Sequence, residues 1–455
     1  ENEEVPTLTW YLPGESQNDL QLVLDTANEI IEPEIGAKLD IKIIDSTAYT
    51  QKMNMILATG QEFDICFTGY INPYATGAKN GSYVDITDMI DTVAPKLRDV
   101  VEDYAFESTR YMGRIYAVPN MQIMAGIPSL IMQKKYADKY GFNEDSIKTF
   151  EDIVPFLEKI KQNEPDVFPI KFSGIGQFTQ YSQKYCNGVT YKISDDYSQK
   201  IELVTPQLTD AYRVAAQKAR DWSNKGYIRL DILSVGNENS DWLAGKYAVG
   251  YSAWKPGADA ELKNTTGIEW VRAFIQDMPA TFSTANNALT AISRTSKHPE
   301  LALKLIELVN TNEELFNILS FGIEGKHYTT NSDGKIKLLG DSSGYFINSA
   351  WKFGNQFLAK VQEGQDDDVW EQTKKINESL EIAPLVGFVL DTTNISVEMS
   401  QVSTVVDKYK VAEKGGEDPD KYWDKMIAEF KAAGCETILK EAQRQVDEFL
   451  AQKNK

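Results

Sequence analysis

The first 70 residues alternate between strand and helix patterns, and this alternation restricts the fold more than any other feature of the sequence. Residues 7–12 and 39–43 have strand patterns, whereas the apolar side chains of residues 20–31 and 49–57 recur at helical spacing. Residues 63–68 form a short, mostly apolar segment that predicts a third strand. The order β-α-β-α-β predicts a mainly parallel sheet that is covered by helices on its faces.

Two loops follow strands of this predicted sheet, and they are the first candidates for a binding site. In open α/β sheets, ligands bind beyond the carboxyl ends of the strands. The loops in this position are residues 11–16 and 69–74, which together contribute Tyr, Asn and Glu side chains. Ser16, with Asp19 three residues later, also has the spacing of a capping box at the start of the first helix.

The α/β character continues through the middle of the chain and gives way to helices near its end. Residues 247–251 read as a strand, and residues 299–309 and 313–321 read as helices. The last hundred residues are mostly helical and end in a long helical pattern over residues 419–451. Residues 415–419 contain Gly415, Gly416 and Pro419, which predicts a break between helices rather than a domain linker.

Composition and charge exclude several classes of protein. The chain has 455 residues, 42% of them hydrophobic, which indicates a globular protein of about two or three domains. Its 47 basic and 67 acidic side chains give a formal net charge of -20. A chain this acidic repels phosphate backbones and anionic membrane surfaces, so we expect no nucleic-acid partner.

The motifs of the common enzyme classes are missing. There is no P-loop and no HExxH sequence, and residues 250–254 fail the nucleophile-elbow pattern at their last position. His298 and His327 are the only histidines, and each is interpreted as structural. The paired carboxylates of a glycoside hydrolase have no fixed spacing in a sequence, so this alternative stays open.

Metal and disulfide sites also lack sequence support. The three cysteines are scattered and have no CxxC spacing, so we interpret them as buried free thiols. Asp366, Asp367 and Asp368 have the composition of a calcium loop but not its spacing, and we interpret them as a solvated helix start. We therefore expect neither a metal nor a cofactor.

Aromatic side chains give the clearest indication of a ligand. Tyr and Trp side chains are apolar on one side and form hydrogen bonds on the other, and sugar rings have the matching character. The aromatic residues in predicted loops or turns beside polar groups are Tyr11, Tyr70, Tyr74, Trp254 and Trp351. The tryptophans on strand or helix patterns, which we assign to the core, are Trp10, Trp222, Trp270 and Trp423.

A set of short motifs, in a characteristic order, resembles the maltose-binding-like family 1 of extracellular solute-binding proteins, and in particular its long Gram-positive lipoproteins. The segments that carry this resemblance are residues 9–11, 58–65, 113–119, 245–250 with Trp254, 292–300, 322–328, 351–355, and 432–434 with Gln443 and Gln445. They extend over nearly the whole chain. The family's lipid-modified N-terminal cysteine is absent from this sequence, and we expect that it has been trimmed.

The resemblance implies an α/β fold of two lobes, like that of periplasmic binding proteins, with a hinge, an interlobe ligand cleft and a helical C-terminal region. It implies one lobe from residues 1–125 and 289–345, and a second lobe from residues 126–288 and 346–455. Ligand would contact both lobes only when they close, so binding would select the closed state.

The resemblance also implies a function: capture of a carbohydrate, expected to be an oligosaccharide, and its delivery to the permease of an ABC transporter. We expect a monomer without catalysis, located outside the cell and attached to the membrane only through a lipid anchor. The expected stacking platforms are Trp254 and Trp351, aided by Tyr11, Tyr70 and Tyr74. The expected partners for sugar hydroxyls are Glu15, Asn72, Asn120, Gln122, Gln177 and Asn355.

Three alternatives stay open at this point. The same transport role with a peptide or another small-molecule ligand predicts the same fold with a different occupant. A secreted glycoside hydrolase predicts release of product from sugar substrates. An adhesive surface protein predicts neither closure of a cleft nor affinity for a small molecule, and the aromatic and amide side chains in the loops argue against it.

Overall fold

A computed structural model describes residues 5–69, 72, 74–172, 174–179, 190–191, 200–229, 231, 238–276, 281–282, 287–379, 384–385, 388 and 390–453. The strands are β1 Thr7–Pro13, β2 Lys38–Ile44, β3 Ile65–Gly69, β4 Arg110–Tyr111, β5 Arg114–Ile115, β6 Ala117–Pro119, β7 Ala125–Gly126, β8 Ser129–Gln133, β9 Phe168–Lys171, β10 Thr190–Tyr191, β11 Leu203–Val204, β12 Tyr247–Tyr251, β13 Trp270–Phe274, β14 Thr281–Phe282, β15 Ala288–Ile292, β16 Tyr328–Thr330 and β17 Ile336–Leu338. The α-helices are α1 Leu20–Ile35, α2 Tyr49–Thr59, α3 Tyr74–Lys79, α4 Met89–Val93, α5 Leu97–Val100, α6 Asp103–Ser108, α7 Lys134–Tyr140, α8 Val154–Asn163, α9 Asp210–Asn224, α10 Glu238–Leu243, α11 Ala258–Thr266, α12 Pro299–Thr311, α13 Glu313–Phe321, α14 Val369–Ser379, α15 Ser396–Val411, α16 Pro419–Ala432 and α17 Cys435–Lys453.

The chain forms two compact units, each made of two separate stretches of sequence. The first unit contains residues 1–124 and 282–379, and the second contains residues 125–281 and 380–455. Residues 346–379, which we assigned to the second lobe, therefore belong to the first unit. Side-chain hydrogen bonds hold this segment there: Asn377 accepts from the backbone N–H of Met124 and donates to the carbonyl of Gln122.

The first unit is built on a five-stranded sheet in the order β2-β1-β3-β15-β6. β1 is parallel to β2 and to β3, as the alternating pattern of the first 70 residues predicts. β15 returns from a distant part of the chain and pairs antiparallel with both β3 and β6. All five residues of β3 are buried, because helices cover a sheet of this kind on both faces.

The second unit contains a four-stranded sheet in the order β13-β8-β12-β9. β12 is parallel to β9, whereas β8 runs antiparallel to both of its neighbours. Trp222, on the buried face of α9, is the centre of an aromatic cluster with Phe178 and Tyr227. The C-terminal helices α15, α16 and α17 complete the same core.

Glycines divide the C-terminal helical region at two places. Gly415 has a φ of 87° and separates α15 from α16, as the sequence predicts. The long helix predicted over residues 419–451 is instead two helices, α16 and α17, because Gly434 between them has a φ of 90°. A residue in the left-handed conformation ends a right-handed helix, so the single helical pattern of residues 419–451 forms two helices. None of the helices within the described residues has the length and apolar character needed to cross a bilayer.

Candidate functional site

The carboxyl ends of four strands lie at one edge of the sheet in the first unit. β1, β2 and β3 are parallel, and β6 shares their direction because β15 is antiparallel to both β3 and β6. These strands end at Pro13, Ile44, Gly69 and Pro119. Ligands of α/β sheets bind at such an edge, so the residues that follow these strands define the first part of the candidate site.

Asn120 fixes Trp351 at this edge. The Asn120 side chain is 1% exposed, and its Nδ2 donates to the carbonyl oxygens of Trp351 and Lys352, at 3.0 Å each. Its Oδ1 accepts from the Thr290 hydroxyl at 2.9 Å. The half-buried Trp351 ring packs edge-on against Phe67, with 5.8 Å between centroids. Asn120, predicted to bind sugar hydroxyls, therefore holds Trp351 in position instead.

Lys352 is a part of this edge that our sequence interpretation missed. Its Nζ donates to the carbonyl oxygen of Pro13 at 2.8 Å and lies 5.5 Å from the centroid of the Trp351 ring. Burial lowers the pKa of Lys352 to about 8, whereas the negative charge of Glu15 acts in the opposite direction. Glu15 itself is exposed in the loop after β1, as predicted. The only sequence signal for Lys352 is its place beside Trp351.

Tyr11 lies away from this edge. It is an internal residue of β1, and its ring packs against Phe63, which precedes β3, with centroids 5.4 Å apart. Its hydroxyl accepts a hydrogen bond from Gln61 at 3.2 Å. Gln61 and Asn72 both line a groove of about 620 Å³ in the first unit. Tyr11 was assigned both to the predicted strand over residues 7–12 and to the loop over residues 11–16, and because β1 ends at Pro13, Tyr11 belongs to the strand.

Asn72 and Tyr74 have partners inside the first unit. Asn72 is buried, has a φ of 59°, and donates to the hydroxyl of Tyr83 at 3.3 Å. Tyr74 is 4% exposed; its hydroxyl donates to the carbonyl of Thr109 at 2.7 Å and accepts from the N–H of Tyr116 at 3.1 Å. Burial raises the pKa of Tyr74. Both side chains have partners elsewhere in the first unit, and we do not retain them as ligand contacts.

The other predicted residues of this set differ in their surroundings. Asn355 is buried, its Oδ1 accepts from the N–H of Phe357, and its Nδ2 donates to the carbonyl of Asn310, so it too is structural. Gln122 follows β6 and is half-buried near the edge. Tyr70 and the side chain of Gln177 lie outside the described residues.

The second unit has a corresponding edge of its own. β9 and β12 are parallel, and β13 shares their direction because both β12 and β13 are antiparallel to β8. Trp254 follows the end of β12 and is tied to this edge by its backbone N–H, which donates to the carbonyl of Ile127 at 2.8 Å. The half-buried Trp254 ring meets Phe274 edge-on, with centroids 5.4 Å apart. Phe274 is 44% exposed, so the pair forms an accessible aromatic surface.

Arg272 stabilises the turn that carries Trp254. Its side chain is 6% exposed and donates hydrogen bonds of 2.6, 2.9 and 3.3 Å to Asp259. Its Nη1 also donates to the hydroxyl of Ser129, which in turn donates to the carbonyl of Ser252. Burying a charged guanidinium costs free energy unless it is paired. The side chain of Arg272 is therefore fixed by its hydrogen bonds in this network. Phe274 and Arg272 were not predicted, because neither lies in a loop or in a recognisable motif.

The three aspartates considered for calcium binding form hydrogen bonds or ion pairs with other side chains. The described residues contain no cluster of three or more His, Cys, Asp or Glu side chains suited to a metal ion. Asp366 and Asp368 accept from Gln372, whereas Asp367 pairs with Lys335.

His327 is buried and serves a structural role. Its Nδ1 accepts from the N–H of Ile323 at 2.8 Å, which assigns the proton to Nε2, and Nε2 faces Asp19 at 3.1 Å. Hydrogen bonds from Lys326 and then from His327 lower the pKa of Asp19. The predicted capping box is wrong, because α1 begins at Leu20 and the backbone N–H of Asp19 donates to the carbonyl of Gly344, not to the side chain of Ser16.

Sequence comparison with protein families gives two matches. Residues 34–320 match the family described as bacterial extracellular solute-binding protein. Residues 384–451 match a family described as a domain of unknown function. The chain is also 27% identical, over 98% of its own length and 92% of the relative's, to a carbohydrate ABC transporter substrate-binding protein of Streptococcus pneumoniae serotype 4.

Solved structures of similar fold extend this result. The crystal structure of the N-glycan transport solute binding protein NgtS of Streptococcus pneumoniae matches with a TM-score of 0.87 and 26% identity, over 98% of this chain and 100% of that one. Its complex with Man5GlcNAc matches with a TM-score of 0.82 and 26% identity, over 98% and 99%. The alginate-binding protein AlgQ2 matches at 14% identity with a TM-score of 0.66, over 98% and 99%. These matches confirm the predicted fold class, including the helical C-terminal region.

Proposed function

Because the chain belongs to the bacterial extracellular solute-binding protein family, we propose that it is the carbohydrate-binding component of an ABC importer. It captures an oligosaccharide outside the cell and delivers it to the membrane permease. One observation carries the proposal: each unit presents a half-buried tryptophan, Trp351 or Trp254, at the carboxyl edge of its sheet. Each of these tryptophans is supported there by a buried polar side chain.

The chemistry of the two edges suits a saccharide. An aromatic ring stacks on the C–H face of a sugar, whereas charged and amide groups form hydrogen bonds with its hydroxyls. The first edge offers Trp351 with Glu15 and Lys352, and the second offers Trp254 with Phe274. The curated relative is a carbohydrate transport protein, and Man5GlcNAc is bound in one of the similar structures. We therefore infer that the ligand is an oligosaccharide of the N-glycan class.

We propose that the protein performs no catalysis. A glycoside hydrolase needs two carboxyl groups placed on either side of the scissile bond. At the second edge Asp259 is occupied by Arg272, and at the first edge Asp45 accepts from Thr47. Glu15, which follows β1, has the positive charge of Lys352 as its neighbour. These pairings favour binding over hydrolysis.

Ligand transfer requires that binding be communicated to the transporter. We propose that the two units form lobes around a cleft, that a saccharide contacts both, and that closure presents a surface to the permease. We also propose that the protein is a monomer held at the cell surface by a lipid anchor. These steps follow the family resemblance.

A thermal-shift screen tests the proposal. The purified protein is heated with N-glycan oligosaccharides, other oligosaccharides, peptides or amino acids, because a ligand that binds only the native state raises the melting temperature. We expect a rise with N-glycan oligosaccharides and recovery of the glycan intact. A rise with peptides alone would contradict the assignment of a sugar ligand, and cleaved glycan would contradict the absence of catalysis.

A further inference from the structure

Lys352 is a buried ammonium group with more hydrogen-bond donors than its surroundings use. An ammonium group has three N–H donors. Among the described residues, Nζ of Lys352 makes one hydrogen bond, to the carbonyl oxygen of Pro13. The residue is only 8% exposed. A buried donor without a partner is costly, and a bound group that accepts from it gains correspondingly.

The surroundings of Lys352 indicate where such a group would lie. Nζ is 5.5 Å from the centroid of the half-buried Trp351 ring, so an acceptor on Nζ belongs to a molecule seated beside that ring. Gly14 lies beside Nζ, since a Cβ placed on Gly14 would be 3.9 Å from it. Lys352 and Trp351 are therefore parts of one recognition surface, which Asn120 holds through both of their carbonyls.

We propose that Lys352 donates hydrogen bonds to the hydroxyl groups of a neutral saccharide ring stacked on Trp351. This inference rests on the proposed function and names one determinant of its specificity. The ammonium group provides charge-assisted hydrogen bonds, which are roughly twice as strong as those between neutral groups.

The charges around Lys352 favour a neutral saccharide over an acidic one. Glu15, in the loop after β1, is the charged group that acts on Lys352, and it would repel a ligand carboxylate. The other acidic side chain that follows a strand at this edge, Asp45, accepts from Thr47 instead. A sugar hydroxyl both accepts and donates, so neighbouring hydroxyls can accept from Lys352 and donate to Glu15.

This arrangement makes saccharide binding depend on pH. Because burial lowers the pKa of Lys352 to about 8, the ammonium form is lost as the pH rises through that value in the free protein. A saccharide that accepts hydrogen bonds from the ammonium form raises this pKa, so binding takes up protons. Affinity is therefore full below pH 8 and declines above it.

Calorimetric titration with Man5GlcNAc tests the inference in the full chain. The variants are Lys352→Met, which keeps the length of the side chain, and Lys42→Met, which removes an exposed lysine of β2 as a matched control. Each is titrated at pH 6.5, 8.0 and 9.5, in two buffers that differ in their heat of ionisation. The difference between buffers reports the number of protons taken up on binding.

We expect the wild-type protein and Lys42→Met to lose affinity about tenfold between pH 6.5 and 9.5, and to take up protons at pH 8.0. Lys352→Met should bind about tenfold more weakly at pH 6.5, show no change with pH, and take up no protons at pH 8.0. A purely structural lysine would not produce this loss of pH dependence.

Two outcomes would overturn the inference, and they differ in what they imply. If Lys352→Met binds Man5GlcNAc like the wild-type protein, or keeps its pH dependence, Lys352 does not contact the saccharide, although the proposed function stands. If the wild-type protein gives no binding heat with Man5GlcNAc at any pH, both the inference and the proposed N-glycan ligand fail. The pH series of the wild-type protein alone also decides the matter if Lys352→Met does not fold.

Discussion

Replacing Trp254 with alanine is expected to weaken saccharide binding by about 2 kcal/mol, or roughly 30-fold, as is typical of a central aromatic contact. The Trp254 ring is half-buried, and its neighbour Phe274 supports it edge-on without covering it. Truncation would remove the stacking face and leave the Arg272 network below it intact. The measurement is calorimetric titration of the variant with Man5GlcNAc at pH 6.5.

A conservative variant separates stacking from a general disturbance of the fold. Trp254→Phe keeps an aromatic face and should bind within a few fold of the wild-type protein, whereas Trp254→Ala should not. Both variants should melt close to the wild-type temperature, because the ring is partly exposed and the Trp254 hydrogen bond to Ile127 uses the backbone. Equal binding by Trp254→Ala in a folded protein would remove Trp254 from the site.

Replacing Gly415 with alanine is expected to destabilise the second unit by about 3 kcal/mol, the combined cost of a left-handed alanine and of overpacking. Gly415 has a φ of 87°, and a Cβ added there would lie 2.5 Å from the carbonyl oxygen of Ala219 on α9. Because that atom belongs to the backbone of a buried helix, it has little freedom to move. Chemical denaturation gives the free energy of unfolding of the variant and of the wild-type protein.

Gly267 provides the matched control in the same unit. It has a similar φ of 70°, but a Cβ added there would meet no atom within 4 Å. Gly267→Ala should therefore cost only about 1 kcal/mol, the conformational part of the effect. If the two variants unfold with the same free energy, the close approach of Gly415 to α9 adds nothing to the cost, and our account of overpacking at this position is wrong.

The sequence predicted the main features of the fold because hydrophobic periodicity reflects burial directly. The β-α-β-α-β order of the first 70 residues is confirmed, and α13 has the bounds that its pattern predicts. Periodicity did not show that Gly434 separates α16 from α17. That break depends on the conformation of a single residue, which an apolar pattern does not record.

The candidate site was harder to predict because loop residues of the same type have different roles. Trp351 and Trp254 do lie at the carboxyl ends of the strands of their sheets. Tyr74, Asn72 and Asn355 are instead buried with partners in their own unit. Sequence position cannot distinguish these cases, since the partners are distant along the chain.

Lys352 and Arg272 were missed for a related reason. Each is a basic residue that an acidic chain would be expected to keep in solvent, and each is buried by a contact formed only in the folded protein. For Lys352 this contact is the carbonyl of Pro13, and for Arg272 it is the carboxylate of Asp259.

The family resemblance provided what periodicity could not. The ordered motifs by themselves indicated an extracellular solute-binding protein, and the family match over residues 34–320 confirms this assignment. The motifs indicated the family without distinguishing ligand contacts from supporting residues. Thus the motif that contains Trp351 also contains the structural residue Asn355 and the buried Lys352.

The most direct test of the central claim is calorimetric titration of the wild-type protein with Man5GlcNAc, followed by mass spectrometry of the recovered glycan. We predict saturable binding of one glycan per chain, with a dissociation constant in the micromolar range or tighter and no change in the mass of the glycan. The absence of binding heat, or a recovered glycan shortened by one or more sugars, would contradict the claim that this protein captures an oligosaccharide for transport.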